Sequence, residues 1–281
     1  MNTILITGAT GNLGRAVVAS LSAKGFKIKA TARTLAKAAF PAGVETVRFD
    51  YQEPATFAPA MSGAEGLFLL APPLDSDAPA KLNPLIDRAK ALGVRHVVFI
   101  SALGVDAVEQ APLRQIERRL MAAGVNYTIL RPNFFMENFS TGFLAPMVKK
   151  GGIWLAAGDG KTSFISVADI AEVAVSAFQK GLFGKAYNLT GPEALDHATA
   201  ASIISKVIGK QIGYHPLTEE AMLQGMRESG LPEGAVRYIG VLYGAVRAGY
   251  TAAVTKDVET VTGKRPRTFE AFVRENATVW R

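Results

Sequence analysis

Seven residues near the N-terminus, Gly8-Ala9-Thr10-Gly11-Asn12-Leu13-Gly14, constrain the fold more than any other stretch. They follow an apolar, β-branched run at Thr3–Thr7 and lead into a segment of helical period near Gly14–Lys24. A strand that turns on glycines directly into a helix reads as the opening of a βαβ unit. Lacking a Cβ, glycine lets the chain turn sharply, lets the backbone approach a pyrophosphate and lets helix and strand pack closely. Free N–H groups at the helix start then receive the anion. The residues therefore point to a dinucleotide site at Gly8, Thr10, Gly11, Asn12, Leu13 and Gly14, with a ligand-free tight turn as the plainer alternative.

The alternation continues. Strands are expected at Lys27–Ala32, Glu45–Phe49, Gly66–Leu70, His96–Ser101, Tyr127–Arg131 and Ala186–Leu189, with helices near Pro54–Met61, Ala80–Leu92, Leu113–Ala123 and Val167–Lys180. Short β-branched runs separated by helical segments stack into a parallel sheet. The fold class is thus α/β, a Rossmann-type doubly wound parallel sheet with a smaller C-terminal substrate lobe. Neither a repeat nor a long linker divides the chain, so residues 1–281 read as one unit. Its lobes are 1–133 plus 164–190 for the sheet and 134–163 plus 191–281 for the substrate side, over the strand ends where ligands of open sheets bind.

Composition narrows the partners. At 281 residues and 49% hydrophobic, the chain can bury a large core. Its net charge of +7 is scattered in ones and twos, with no basic stripe, so no nucleic acid is expected. The longest apolar runs, near Leu67–Pro73 and Val97–Ile100, fall short of the roughly 18 residues of a membrane span, and no secretory signal precedes Thr3. A cytoplasmic protein, monomer or homodimer, is the expectation. Cysteines are absent, and His96, His197 and His215 lack metal-ligand spacing, so no metal is expected. Asp196 reads as a helix start before His197, and Ser166 with Asp169 as a capping pair.

Cofactor choice is read at the end of the second strand. An NAD site would carry an acidic residue there for the ribose 2′-hydroxyl; this chain has Arg33, nineteen residues past Gly14. A guanidinium can hold a 2′-phosphate with two charge-assisted hydrogen bonds, and Lys37 can add a second charge, so NADPH is expected over NADH. Ala71 and Pro72 leave backbone to line the ribose and pyrophosphate channel. Past the sixth strand, Asn133 and Phe134 are expected beside the nicotinamide. Phe135, Phe139 and Trp154 are candidates for a flat apolar pocket that takes an aromatic or quinone-like substrate, with a plain hydrophobic core between the lobes as the alternative.

Further landmarks are Ala91 to Val98, Ser101-Ala102, Gly124 to Asn138, Gly158-Asp159-Gly160, Val167 to Ala171 and Tyr187 to Pro192. With the Gly-x-x-Gly-x-x-Gly turn, the chain resembles the NmrA-like group of atypical short-chain dehydrogenases, which includes bacterial quinone oxidoreductases and triphenylmethane reductase. The resemblance implies that Asp50 and Tyr51 meet the adenine, and that Ser101 binds substrate or lines the cofactor. Ordinary members of the superfamily pair a Tyr with a Lys four residues later on one helix, the phenol acting as general acid. No Tyr here has such a Lys; Tyr127 has Arg131 at that spacing, but on a strand. Several relatives place a His or Lys four residues before the equivalent of Glu117, where this chain has Leu113, and Arg114 beside it is expected to face elsewhere. The catalytic group stays unassigned.

Without a general acid, hydride transfer suits acceptors that tolerate negative charge or already carry positive charge, such as a quinone, a dye cation or an iminium. The expected function is an NADPH-dependent oxidoreductase acting on a quinone-like or other activated aromatic acceptor. An NADP(H)-sensing regulator without turnover is the alternative, and a sugar-nucleotide epimerase is disfavoured because it needs the Tyr and Lys.

Overall fold

The computed structural model describes residues 2–280, apart from the side chain of Lys37. Seven parallel strands form the central sheet: β1 (Thr3–Ile6), β2 (Lys27–Ala32), β3 (Glu45–Arg48), β4 (Gly66–Leu70), β5 (His96–Ile100), β6 (Asn126–Pro132) and, later in the chain, Lys185–Leu189. Their order runs from β3 through β2, β1, β4, β5 and β6 to Lys185–Leu189. The chain thus winds outward from β1 in both directions, which opens a crevice at the strand ends between β1 and β4.

Both faces are covered, as the period-two alternation requires. Ile4, Ile6, Phe68 and Val98 point to one face, where α1 (Asn12–Ala23) packs through Val17, Val18 and Leu21. Leu5, Leu67, Leu69, Val97 and Phe99 point to the other, under α2 (Phe57–Met61), α3 (Ala78–Ala89) and α4 (Pro112–Ala122). This is the expected doubly wound α/β sheet, with several strand ends displaced by one residue.

The remaining segments build a second core. After β6 come α5 (Ala145–Lys149) and β7 (Gly152–Leu155), then α6 (Val167–Lys180), which packs beside α1 on the sheet. The seventh sheet strand, β8, is the one already given at 185–189. It is followed by α7 (His197–Ile208), β9 (Gly213–Pro216), α8 (Glu219–Glu228), α9 (Glu233–Arg247), α10 (Asp257–Thr262) and α11 (Phe269–Glu275). β7 and β9 pair in parallel as a separate two-stranded sheet, an element the sequence did not announce because each four-residue run finds its partner only across a long stretch of chain. Around it Phe139, Ile153, Leu155, Phe164, Ile204, Tyr243, Phe269 and Phe272 are buried together. Helix α10 returns to the sheet, where Val258 and Val261 join the α1–α6 core.

One cap departs from expectation. Ser166 does cap α6, its Oγ accepting from the Ala168 N–H at 3.2 Å. Asp169, however, takes no part in that cap: it accepts from the Arg267 backbone N–H (2.8 Å) and guanidinium (2.6 Å). Glu137 fills the place instead, accepting from the Val167 N–H at 3.0 Å and the Ser166 hydroxyl at 3.1 Å. A carboxylate from outside the helix can meet its positive end as well as one from its own first turn.

Candidate functional site

A cleft of about 850 Å³ runs along the C-terminal ends of the strands. The glycine turn forms its floor. Gly8 has φ +61°, a left-handed conformation that glycine adopts without strain. A Cβ on Gly14 would lie 2.1 Å from the Gly8 carbonyl oxygen, so helix α1 approaches β1 closely only because no side chain stands there. Gly8, Thr10, Gly11, Asn12 and Leu13 line the cleft. Helix α1 begins at Asn12 with no acidic residue in its first turn, so nothing of the chain's own competes for its free N–H groups.

Toward β2 and β3 the cleft is polar. Arg33 is exposed at the end of β2 and makes no hydrogen bond or ion pair among the described residues. Lys37 stands in the following 3₁₀ turn, but its side chain lies outside the described residues. Asp50 turns one carboxylate oxygen to the Gln52 N–H (3.0 Å), leaving the other available. Tyr51 donates its hydroxyl to the Leu70 carbonyl at 2.7 Å and sets its ring edge-on to Phe49, which fixes its orientation. Burial raises its pKa, so the phenol stays neutral.

Toward β5 and β6 the lining turns apolar. Ala71 and Pro72 follow β4, and Ser101 follows β5. The buried Ser101 hydroxyl has no hydrogen bond of regular geometry and faces the carboxylate of Glu117, helping to lower its pKa. Glu117 is fully buried on α4 and accepts two bonds from Arg131, both at 2.8 Å. Arg114 adds a third at 2.8 Å, facing away from the cleft that Leu113 lines: residues three apart share a helix face. Burial alone would raise this carboxyl's pKa, but the bonds from Arg131, Ser101 and Arg114 bring it below the ordinary range. The group is therefore an ionised strut beneath the cleft and no proton donor.

Among the candidate substrate and nicotinamide residues, only Phe135 reaches the cleft. Asn133 is buried outside it, its amide donating to Ser163 Oγ (2.7 Å) and the Thr251 carbonyl (2.8 Å) where the chain leaves the sheet. Phe134 packs toward Tyr243 in the second core. Phe139 is sealed among Phe164, Phe269 and His197. Trp154 lies on the outer face of β7, stacked on His215 with ring centroids 4.9 Å apart. Asn133 to Phe139 follow the end of β6 in irregular chain and a 3₁₀ turn, where packing divides the aromatic side chains between cleft and core.

Several lining residues carried no readable sequence signal: Leu74, Asp75, Lys81, Asn138, Gly142 and Tyr238. Lys81 is paired with Asp75. Leu74 holds φ +55°, an uncommon conformation for a branched side chain, at the bend that turns the cleft wall toward the second core. Leu113 lines the cleft, so the position four residues before Glu117 presents an aliphatic group to it. Helix α9 does contain a Tyr and a cation four apart, Tyr243 and Arg247. The Tyr243 hydroxyl is buried without a partner, while Arg247 bonds the Ala156 carbonyl and Glu219, away from the cleft.

No helix among the described residues is long and apolar enough to cross a membrane, and no group of His, Asp or Glu among them is placed to hold a metal ion.

The sequence model of the NmrA-like family matches residues 1–273. The chain belongs to this family. Relatives within reach of it include an NAD(P)H azoreductase of Xenophilus azovorans, 33% identical over 99% of both chains. An agroclavine dehydrogenase of Claviceps fusiformis is 35% identical over 99% of this chain and 98% of its own. Among solved structures, an NADPH-dependent quinone oxidoreductase of Escherichia coli in complex with NADPH superposes with a TM-score of 0.83. It is 28% identical, over 97% of this chain and 99% of that one.

Proposed function

We propose that this NmrA-like chain is an NADPH-dependent oxidoreductase that delivers hydride to a flat, electron-poor acceptor of the quinone or azo class. The observation that carries the reading is the cleft itself: a side-chain-free glycine cradle, an unpaired guanidinium at the end of β2 and an apolar far end lie along one channel. NADPH fits that sequence of surfaces. Its pyrophosphate would rest on the N–H groups at Asn12 and Leu13 and its 2′-phosphate on Arg33, with Lys37 as a second charge. Asp50 and Tyr51 would border the adenine, and Ala71, Pro72 and Ser101 the ribose and nicotinamide. Bound there, the cofactor supplies hydride. The chain's part is to orient the acceptor and exclude water, the contribution that matters most when no Tyr-Lys pair assists. The named activities of the azoreductase and quinone oxidoreductase relatives support an oxidoreductase with this acceptor class. We place the acceptor between the strand ends and the lobe formed by 134–163 and 191–281.

The test is consumption of NADPH, followed by absorbance, with simple quinones, azo dyes and triarylmethane dyes, and NADH as the comparison. Turnover with one acceptor class identifies the chemistry. Tight binding of NADP⁺ and NADPH with no turnover on any acceptor would replace this reading with an NADP(H)-sensing regulator, for which the lack of a Tyr-Lys pair is the favouring feature.

A further inference from the structure

The cleft contains one phenol whose hydroxyl is uncommitted. Tyr238 stands half-buried on α9, contributed by the second core, and lines the cleft that Ser101, Leu113 and Phe135 also line. It makes no hydrogen bond among the described residues, whereas the cleft's other phenol and its lysine are engaged. Tyr51 donates to the Leu70 carbonyl and Lys81 is held by Asp75. Ser101 faces the Glu117 carboxylate, and Asn12 donates to Thr141 at 2.8 Å. Asn138, which also lines the cleft, belongs to the segment that Asn12 holds through Thr141.

Resting on the function proposed above, we infer that Tyr238 is a catalytic residue that donates a hydrogen bond to the acceptor atom on which negative charge develops. In quinone reduction the acceptor gains two electrons and one proton as hydride from the reduced nicotinamide, and a carbonyl oxygen becomes an oxyanion. The Tyr238 hydroxyl donates to that oxygen without releasing its proton, and water supplies the proton that completes the hydroquinone. Burial raises the pKa of this phenol, which keeps it a neutral donor at physiological pH. A preorganised donor in a water-poor site stabilises charge that appears only in the transition state. The inference also sets specificity: acceptors that become anionic on oxygen or nitrogen gain from Tyr238, while a triarylmethane cation, which becomes neutral on accepting hydride, does not.

The experiment compares the full-length protein with Tyr238→Phe on a quinone and on a triarylmethane cation. The variant should lose roughly 10²-fold in kcat on the quinone and less than about threefold on the cation, with NADPH affinity and melting temperature near those of the parent. Equal losses on both acceptors would mark Tyr238 as a packing residue, and an unchanged quinone rate would remove it from the reaction. A second readout needs no turnover. With NADP⁺ bound, 4-nitrophenolate placed in the cleft should show a shifted visible absorption band that Tyr238→Phe abolishes; identical spectra in both proteins would overturn the inference. If the parent binds NADPH yet reduces neither acceptor, the oxidoreductase reading fails, while the nitrophenolate titration still decides whether Tyr238 donates to an oxyanion.

Discussion

The two walls of the cleft are built by opposite means. The sheet wall is backbone and strand ends: Gly8 to Leu13, Arg33, Asp50, Ala71 and Ser101 each follow directly on a parallel strand. The opposing surface is side chain: Phe135, packed against the sheet core, Asn138, and Tyr238 brought over by the second core. The first wall presents N–H groups and a charge in a geometry that the sheet dictates. The second presents shape, and shape can vary without disturbing the sheet. A common cofactor with a changeable acceptor follows from that division. A polar contact from Asn12 Nδ2 to Thr141 Oγ1 joins the glycine turn to the segment after β6.

The comparison can be broken by changing residues on either side, and the largest effect is expected in the second core. Phe139, fully buried among three aromatic rings, should cost roughly 3–5 kcal/mol of stability when changed to Ala. Denaturant unfolding reads this, and a stable variant with altered acceptor KM would instead return Phe139 to the substrate pocket.

Acid tests both regions at once. His96, in the sheet region against Thr128, and His197, in the second core, are buried and held neutral, each with a pKa lowered to about 4 by desolvation. An unfolded imidazole takes up its proton near pH 6.5, so the unfolded chain binds more protons between there and pH 4. Stability is fully present above about pH 6.5 and is lost as pH falls toward 4, by up to about 3 kcal/mol for each histidine. Urea midpoints across that range measure the loss. His197→Phe should flatten part of the slope and leave the share due to His96.

On the sheet wall, Arg33→Asp should weaken NADPH about 10²-fold and NADH far less, since charge-assisted bonds to phosphate are lost and a repulsion is added. Fluorescence titration of both nucleotides decides it, and equal effects would remove Arg33 from the 2′-phosphate. The smallest effect is expected at Trp154→Ala. That ring is 37% exposed and lies outside the cleft, so stability should change by less than about 1 kcal/mol and acceptor kinetics should stay as they were. A raised acceptor KM would bring the β7–β9 face into the site.

The sheet was readable because its information is local. Ile4, Ile6 and Phe68 alternate with Leu5, Leu67 and Leu69 across its two faces, and each strand is punctuated by its own turn. The β7–β9 pair was not readable, since each short strand exists only through a partner some sixty residues away. The same holds for the aromatic run after β6. Its residue types suggested a pocket, but Phe134 and Phe139 went to the core and Phe135 to the cleft, a choice made by packing.

By itself, then, the sequence determined the parallel sheet, its winding and the family to which the chain belongs, because strand period, glycine turn and helix start each act over a few consecutive residues. Only the tertiary structure decided which side chains face the cleft from the second core. It alone brought Tyr238 of α9 to the cleft, paired Arg114 with Glu117 and left Asn133 buried. Those outcomes depend on contacts between segments far apart in the chain, where burial and hydrogen-bond satisfaction, rather than local pattern, select the arrangement.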